Sequence, residues 1–333
     1  MLRMPHFEVR EPRSVEEAVA LLASLGEKAV PIAGGTDLLP NLKHRLLEPK
    51  VLVSLARLDA LRGVTQETGG ALVLGAMTTI DAVSASELVR ARAPALALAA
   101  AQVSGPQLRR MGTLGGNVML DTRCRYFNQT YFWRKSLGFC LKKDGTVCHV
   151  VAGGKRCVAA ASNDTAPALM TLGASLTLAG PQGTRVVPID EFFHTDGAAN
   201  TRRGEGELLV SVRVPAQRPG HRGAYVKLRS RESIDFPLLG VAARVDLEGG
   251  AVADADVAVV ALQARPVRLK GVAESLKGKR PGDAGLLDAL EQVGQRAYKQ
   301  CNPMPNVTGD HEYRHEMVPV FVRRALLAAL GSE

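Results

Sequence analysis

Lys28-Ala29-Val30-Pro31-Ile32-Ala33 runs directly into Gly34-Gly35-Thr36-Asp37. The apolar run has the length of a short buried strand. Paired glycines after such a strand let successive backbone N–H groups turn toward an anion with no Cβ in the way. The stretch therefore reads as a strand that delivers a loop able to cradle a pyrophosphate. Just upstream, Ser14-Val15-Glu16-Glu17 forms a capping box. Apolar residues at helical spacing follow it to Leu25, and Gly26 is a stop. Downstream, residues 51–55 (Val-Leu-Val-Ser-Leu) read as the next strand, completing a small α/β lobe.

A second lobe starts near residue 60. Residues 71–76 are strand-like, residues 91–103 form an Ala/Leu-rich helix, and a second glycine turn follows at Gly112-Thr113-Leu114-Gly115-Gly116-Asn117. Neither turn fits G-x-G-x-x-G or a Walker pattern. One Gly-Gly pair is an ordinary turn; two, each after a buried segment, favour a cofactor. Residues 174–179, 185–189 and 208–214 read as strands, and the Pro/Gly/Arg-rich stretch 215–223 reads as a linker. Beyond it, strands at 224–229, 241–247 and 257–262 and helices at 284–299 and 311–330 give an α+β C-terminal domain. The expected division is a two-lobed domain at 1–217, with lobes at about 1–57 and 58–217, then a domain at 218–333.

With 333 residues and 46% hydrophobic content the chain can bury two or three modest cores. No run of about 18 apolar residues suggests a membrane span, and Met1-Leu2-Arg3-Met4-Pro5-His6 lacks the apolar core of a secretory signal, so the expected compartment is the cytoplasm.

Four of the five cysteines, Cys124, Cys140, Cys148 and Cys157, fall in one segment, and Cys301 stands apart as an ordinary buried thiol. Clustered thiols in a cytosolic chain suggest metal before disulfide. Their spacing is too wide for the paired C-x2-C knuckles of most structural zinc sites and differs from the run of small ferredoxins. Four thiolates on an irregular loop suit a [4Fe–4S] core; a zinc staple, free thiols and disulfides stay open. From Arg123 to Arg156 there are eight basic residues against Asp144, a net +7 within a chain of net +9. That charge offsets an anionic cluster and favours its reduced form, though zinc gains equally. Tyr126, Phe127, Tyr131, Phe132 and Trp133 interleave with the basic residues and are expected to shield the cluster from water rather than bind nucleic acid.

Five motifs occur in order along nearly the whole chain: Ala33-Gly34-Gly35-Thr36-Asp37-Leu38-Leu39, Gly112-Thr113-Leu114-Gly115-Gly116-Asn117, Ser162-Asn163-Asp164 with Pro167-Ala168-Leu169, Lys227-Leu228-Arg229-Ser230-Arg231, and Gly309-Asp310-His311-Glu312-Tyr313-Arg314. As a set they resemble the FAD-binding subunits of the molybdenum hydroxylase (xanthine dehydrogenase) family. The resemblance implies a two-lobed, vanillyl-alcohol-oxidase-like FAD domain followed by a CO dehydrogenase flavoprotein C-terminal-like domain. It implies FAD held by Ala33, Gly34, Gly35, Thr36, Asp37 and Leu38 and by Thr113, Leu114, Gly115, Gly116 and Asn117, with Asp164, Leu209 and Lys227 near the flavin. A charge such as Lys227 near the N1–C2=O edge would raise the flavin potential; the plain alternative is that Lys227 pairs with Asp235.

The segment 121–161 looks like an insertion. Leu120-Asp121-Thr122-Arg123-Cys124, Asn128-Gln129, Trp133-Arg134, Gly138-Phe139-Cys140-Leu141-Lys142 and Cys148-His149-Val150 resemble the β subunits of the 4-hydroxybenzoyl-CoA reductase branch of that family. This implies a [4Fe–4S] cluster on the four cysteines and electrons passing from ferredoxin through cluster and FAD to [2Fe–2S] clusters on a small subunit. Substrate chemistry then belongs to a molybdopterin-bearing large subunit in a dimer of heterotrimers, so no catalytic residue is expected here. Two other readings remain: a flavin subunit of an oxidising xanthine, CO or aldehyde dehydrogenase, and a zinc-stapled basic binding protein.

Overall fold

The computed structural model describes residues 2–331, so the ends of the two expected domains, Met1 and residues 332–333, lie outside the described residues. The N-terminal lobe is a three-stranded parallel sheet of β1 (Glu8–Arg10), β2 (Ala29–Ile32) and β3 (Val51–Ser54) in the order β1-β3-β2. The helix Val15–Leu25 crosses between β1 and β2. Ser14 caps it by accepting the Glu17 N–H, and the Glu17 carboxylate reaches back to the Arg13 N–H at 2.7 Å. Ala18, Val19 and Leu22 line its buried stripe and pack on Val51 and Val53.

The second lobe is an antiparallel sheet of β4 (Val64–Gln66), β5 (Leu72–Gly75), β6 (Ser175–Gly180), β7 (Gly183–Pro188) and β8 (Leu208–Val214), ordered β4-β5-β8-β6-β7. Everything between β5 and β6, including the cysteine segment, is one long excursion from this sheet. The single helix expected over 91–103 is two, Glu87–Arg92 and Pro94–Ala101. Pro94 takes the first helical position of the second, where its missing N–H is harmless, and Ala93 before it leaves the helical region.

The C-terminal sheet runs β12-β11-β10-β9, from β9 (His221–Leu228), β10 (Leu239–Glu248), β11 (Ala251–Val260) and β12 (Val267–Arg268), all antiparallel. The helices Ala284–Gln300 and His311–Leu330 cover one face and share its core. β9 begins inside the stretch expected as linker. β10 and β11 turn at Gly249-Gly250, both at positive φ as a tight hairpin demands. β11 starts before the expected strand at 257 because Asp254 and Asp256 interrupt the apolar run yet pair with Asp246 and Arg244, and the register shifts between Asp246 and Leu247.

Candidate functional site

β2 delivers the first glycine loop against the second. A Cβ on Gly34 would stand 1.7 Å from the Met111 carbonyl oxygen, so the two lobes touch backbone to backbone there. Both loops line one cavity of ≈ 560 Å³. Ala33, Gly34, Gly35, Thr36, Asp37 and Leu38 contribute from the first loop, and Thr113, Gly115, Gly116 and Asn117 from the second. Asp164 and Leu209 of the expected set also lie on this wall.

Three expectations differ from the structure. Leu114 is fully buried and packs in the core of the second lobe instead of lining the cavity. The second loop is also no open turn: Leu114–Val118 is a short helix capped by Thr113, whose Oγ1 accepts the Gly116 N–H at 3.1 Å. Gly115 N–H bonds the Ala76 carbonyl, and Asn117 Oδ1 accepts from Thr165 N–H and Oγ1. Gly115 is needed because a Cβ there would meet Ala76 at 2.8 Å.

Lys227 does not line the cavity either. Its side chain is fully buried behind Asp164, with Nζ 2.9 Å from Asp164 Oδ1, and it donates to the Gln102 carbonyl at 3.0 Å. Asp235 pairs with Arg231 instead. Tyr225, two residues along β9 and so on the same face, donates its hydroxyl to Asp164 Oδ1 at 2.7 Å. Sequence reasoning missed Tyr225; its strand alternation with Lys227 was the available signal. Burial pushes the Asp164 carboxyl up, with the Lys227 charge and the bonds from Lys227 and Tyr225 pulling the other way. Burial and the neighbouring Asp164 hold the Tyr225 hydroxyl well above its usual value. Lys227 and Tyr225 therefore act on the cavity through Asp164.

Arg123 is a second missed residue of this cavity. Its guanidinium pairs with Asp37 and lies 4.3 Å over the Phe236 ring, and burial lowers it to about 10.

The next residue, Cys124, belongs to a separate, small cavity of ≈ 20 Å³ lined by Cys124, Cys140, Cys148 and Cys157 together. All four are free thiols, so the segment carries no disulfide. Tyr126, Phe127, Lys142 and His149 also line it. Lys142 is nearly buried, bonds Asp121 at 2.7 Å, and sits 4.8 Å over the Phe127 ring. Burial raises Cys124, and raises Cys157 to about 11 against the pull of the Lys142 charge. Among the described residues no group of three or more His, Cys, Asp or Glu stands close enough to hold one metal ion. Tyr126 and Phe127 enclose the cavity as expected, but Phe132 is 80% exposed and shields nothing. Cys301 is buried elsewhere, and burial pushes its thiol up to about 12.

Residues 5–217 match the family described as FAD binding domain in molybdopterin dehydrogenase, and residues 224–329 the CO dehydrogenase flavoprotein C-terminal domain. The carbon monoxide dehydrogenase medium chain of Hydrogenophaga pseudoflava is 33% identical, covering 98% of this chain and 97% of that one. The xanthine dehydrogenase FAD-binding subunit of Escherichia coli O157:H7 is 26% identical over 96% of this chain and 94% of that one. Among solved structures, a carbon monoxide dehydrogenase from Hydrogenophaga pseudoflava superposes with a TM-score of 0.81 at 31% identity, over 99% of both chains. The chain belongs to the FAD-binding subunits of the molybdenum hydroxylase family.

Membership over nearly the full length displaces the reading of a basic binding protein without a flavin. The ≈ 560 Å³ cavity of this flavin subunit falls in the range ordinary for a cofactor site, about 300–1,000 Å³. It places a Cβ-free loop and a buried guanidinium where a dinucleotide needs close backbone and positive charge, so the residues present fit FAD. The four thiols of the flavin subunit share one cavity, but no three of them stand close enough to hold one metal ion. That cavity, at ≈ 20 Å³, holds about one water. No helix among the described residues is long and apolar enough to cross a membrane.

Proposed function

We propose that this flavin subunit holds FAD in the ≈ 560 Å³ cavity and relays electrons between that FAD and the redox centres of partner chains, without touching the enzyme's substrate. The closure of residues 33–38 onto residues 112–117 at Gly34 is the observation that carries this reading. Bound FAD supplies reversible one- and two-electron chemistry. The chain's own part is to present the loop at Gly34 and Gly35 to the pyrophosphate, to orient Asp164 through Tyr225 and Lys227, and to keep water from the apolar wall formed with Leu209. The partners are a molybdenum-bearing large subunit and a [2Fe–2S] small subunit, assembled as a dimer of heterotrimers in the cytoplasm.

The relatives favour an oxidising enzyme, in which electrons leave the molybdenum centre and pass outward through FAD. Their names, carbon monoxide dehydrogenase and xanthine dehydrogenase, support that direction. A second reading is favoured by the four thiols around one cavity: a ferredoxin-linked reductase of the 4-hydroxybenzoyl-CoA reductase type, with Cys124, Cys140, Cys148 and Cys157 holding a [4Fe–4S] cluster. Anaerobic purification of the assembled enzyme, followed by iron, sulfide and zinc analysis, separates the two. About four irons and four sulfides beyond the small subunit's share, with reduction by ferredoxin, support the reductase. Zinc or no metal in this chain, with reduction by substrate and electron delivery to NAD or a quinone, supports the oxidising enzyme.

A further inference from the structure

The excursion that carries the cysteines leaves large apolar side chains in solvent. Phe132 is 80% exposed, and Trp133, Leu137 and Val147 are exposed with it. Arg125, Lys135, Lys155 and Arg156 of the same excursion are also exposed and form no ion pair among the described residues, while the exposed acid Asp144 lies 3.9 Å from both Lys143 and Arg134. The Tyr126 ring stands 6.3 Å from that of Trp133 and 5.4 Å from that of His149, with the Arg125 guanidinium over it at 5.1 Å. The start, the helix and the far loop of the excursion therefore meet on one surface. That surface is held in shape. Thr130 caps the helix Tyr131–Ser136, and the buried Arg134 of this helix is tied to the Arg45 carbonyl at 2.8 Å. The chain then turns back through Gly138 and Phe139, both at positive φ, a strained position for a phenylalanine. The Phe139 N–H bonds the Arg134 carbonyl at 2.8 Å, and its ring packs on Tyr131 at 5.7 Å. The helix is thus fixed on its Arg134 side while Phe132, Trp133, Lys135 and Leu137 stay in water, where exposed apolar surface is unfavourable.

We propose that this basic, aromatic face of the excursion docks an acidic one-electron carrier protein. The inference rests on the relay reading of the chain, names the outside partner of that relay, and needs no metal at the thiols. Charge complementarity selects the occupant: cations without a partner of their own attract a carboxylate-bearing surface and steer its approach. Lysine is depleted from the cores of permanent interfaces, whereas a few exposed apolar side chains ringed by cations suit the small, short-lived contacts of electron-transfer partners. With Lys135 and Ser136 between Trp133 and Leu137, the helix presents no continuous apolar stripe to a lipid surface. Each docking passes one electron, so two dockings serve one two-electron exchange of FAD, whose protons are exchanged with water.

The test uses the assembled enzyme with ferredoxin and flavodoxin from the same cells as acidic carriers, and a basic cytochrome c and an uncharged quinone as comparisons. Electron exchange is followed in both directions, from enzyme reduced with dithionite and from reduced carrier, over a range of salt. The variants are the double charge reversal Arg125→Glu with Lys135→Glu, then Phe132→Ala, and, as a control, Lys299→Glu, an exposed cation of the C-terminal domain. Exchange with an acidic carrier is expected to be about ten-fold or more faster at low salt than at high salt. The charge reversal lowers the low-salt rate about ten-fold and leaves little salt dependence. Phe132→Ala raises the carrier concentration for half-maximal rate several-fold and keeps the rate at saturation. Lys299→Glu matches the wild type, cytochrome c shows the opposite salt trend, and the quinone reacts alike with every variant. Exchange with both acidic carriers that is indifferent to salt and to these substitutions overturns the proposal, as does its absence in an enzyme that still reduces the quinone. Binding to anionic vesicles or to a single-stranded oligonucleotide that the charge reversal abolishes, with carrier exchange unchanged, gives the face to lipid or nucleic acid and overturns it too. An enzyme that holds no FAD and passes no electrons to the quinone sinks the relay reading itself.

Discussion

Gly34 has no room for a side chain, because the Met111 carbonyl fills the place of a Cβ. Gly34→Ala must push two lobes apart, at more than the ~1–3 kcal/mol of an overpacked core, and is expected to yield enzyme stripped of FAD, read from the flavin absorbance of the purified protein. This requirement was legible because close backbone approach leaves a compositional mark: paired glycines after an apolar strand. The Asp164 site was legible only in part. Asp164 and Tyr225 are 61 residues apart, and no local pattern announces a hydrogen bond between them. Removing the Lys227 charge leaves a buried carboxylate short of its main partner. Lys227→Met is therefore expected to destabilise by about 3–5 kcal/mol, against about 1 kcal/mol for Tyr225→Phe, both measured by urea unfolding.

At the scale of elements, capping and alternation were sound guides where side chains act on their own backbone. Ser14 capping Val15–Leu25 is an instance. They failed where a proline or a charge intervened, as at Pro94 and along β10 and β11. The second glycine loop was read as a turn because glycine signals one, yet the Thr113 cap makes it helical. The cysteine segment has little regular structure beyond the helix Tyr131–Ser136. Buried Arg134 ties it to the first lobe through the Arg45 carbonyl at 2.8 Å. Cys148 lines the thiol cavity and not the large one, so Cys148→Ser is expected to lose any metal bound by the segment and to keep FAD. Metal analysis beside flavin content checks this; flavin lost from a folded variant contradicts it.

Across the whole molecule, Arg314 within the last long motif binds its parts together. Fully buried, it donates to the carbonyls of Leu238, Met304 and Ala261, joining the end of the loop that carries Phe236 to the C-terminal helix. The C-terminal domain also stores a pH dependence. Burial opposes ionisation of Asp246, but the hydrogen bond from His221 and the charge of Arg244 outweigh it and hold the carboxyl below its usual range. A depressed carboxylate contributes stability that is complete above its unfolded value of about 3.9 and is lost as pH falls through the lower folded value. The melting temperature of the wild type is thus expected to fall below about pH 4, and Asp246→Asn to fall less steeply over that window. The order of motifs along the chain made the family legible; the arrangement of lobes around one cavity was not, because it depends on the Gly34 contact between lobes.

Quantifying the flavin released from this chain on denaturation, beside the Gly34→Ala variant, bears most directly on the central claim. The account predicts about one FAD per wild-type chain and little in the variant. A folded wild-type chain that carries no FAD and takes none up from solution would contradict it.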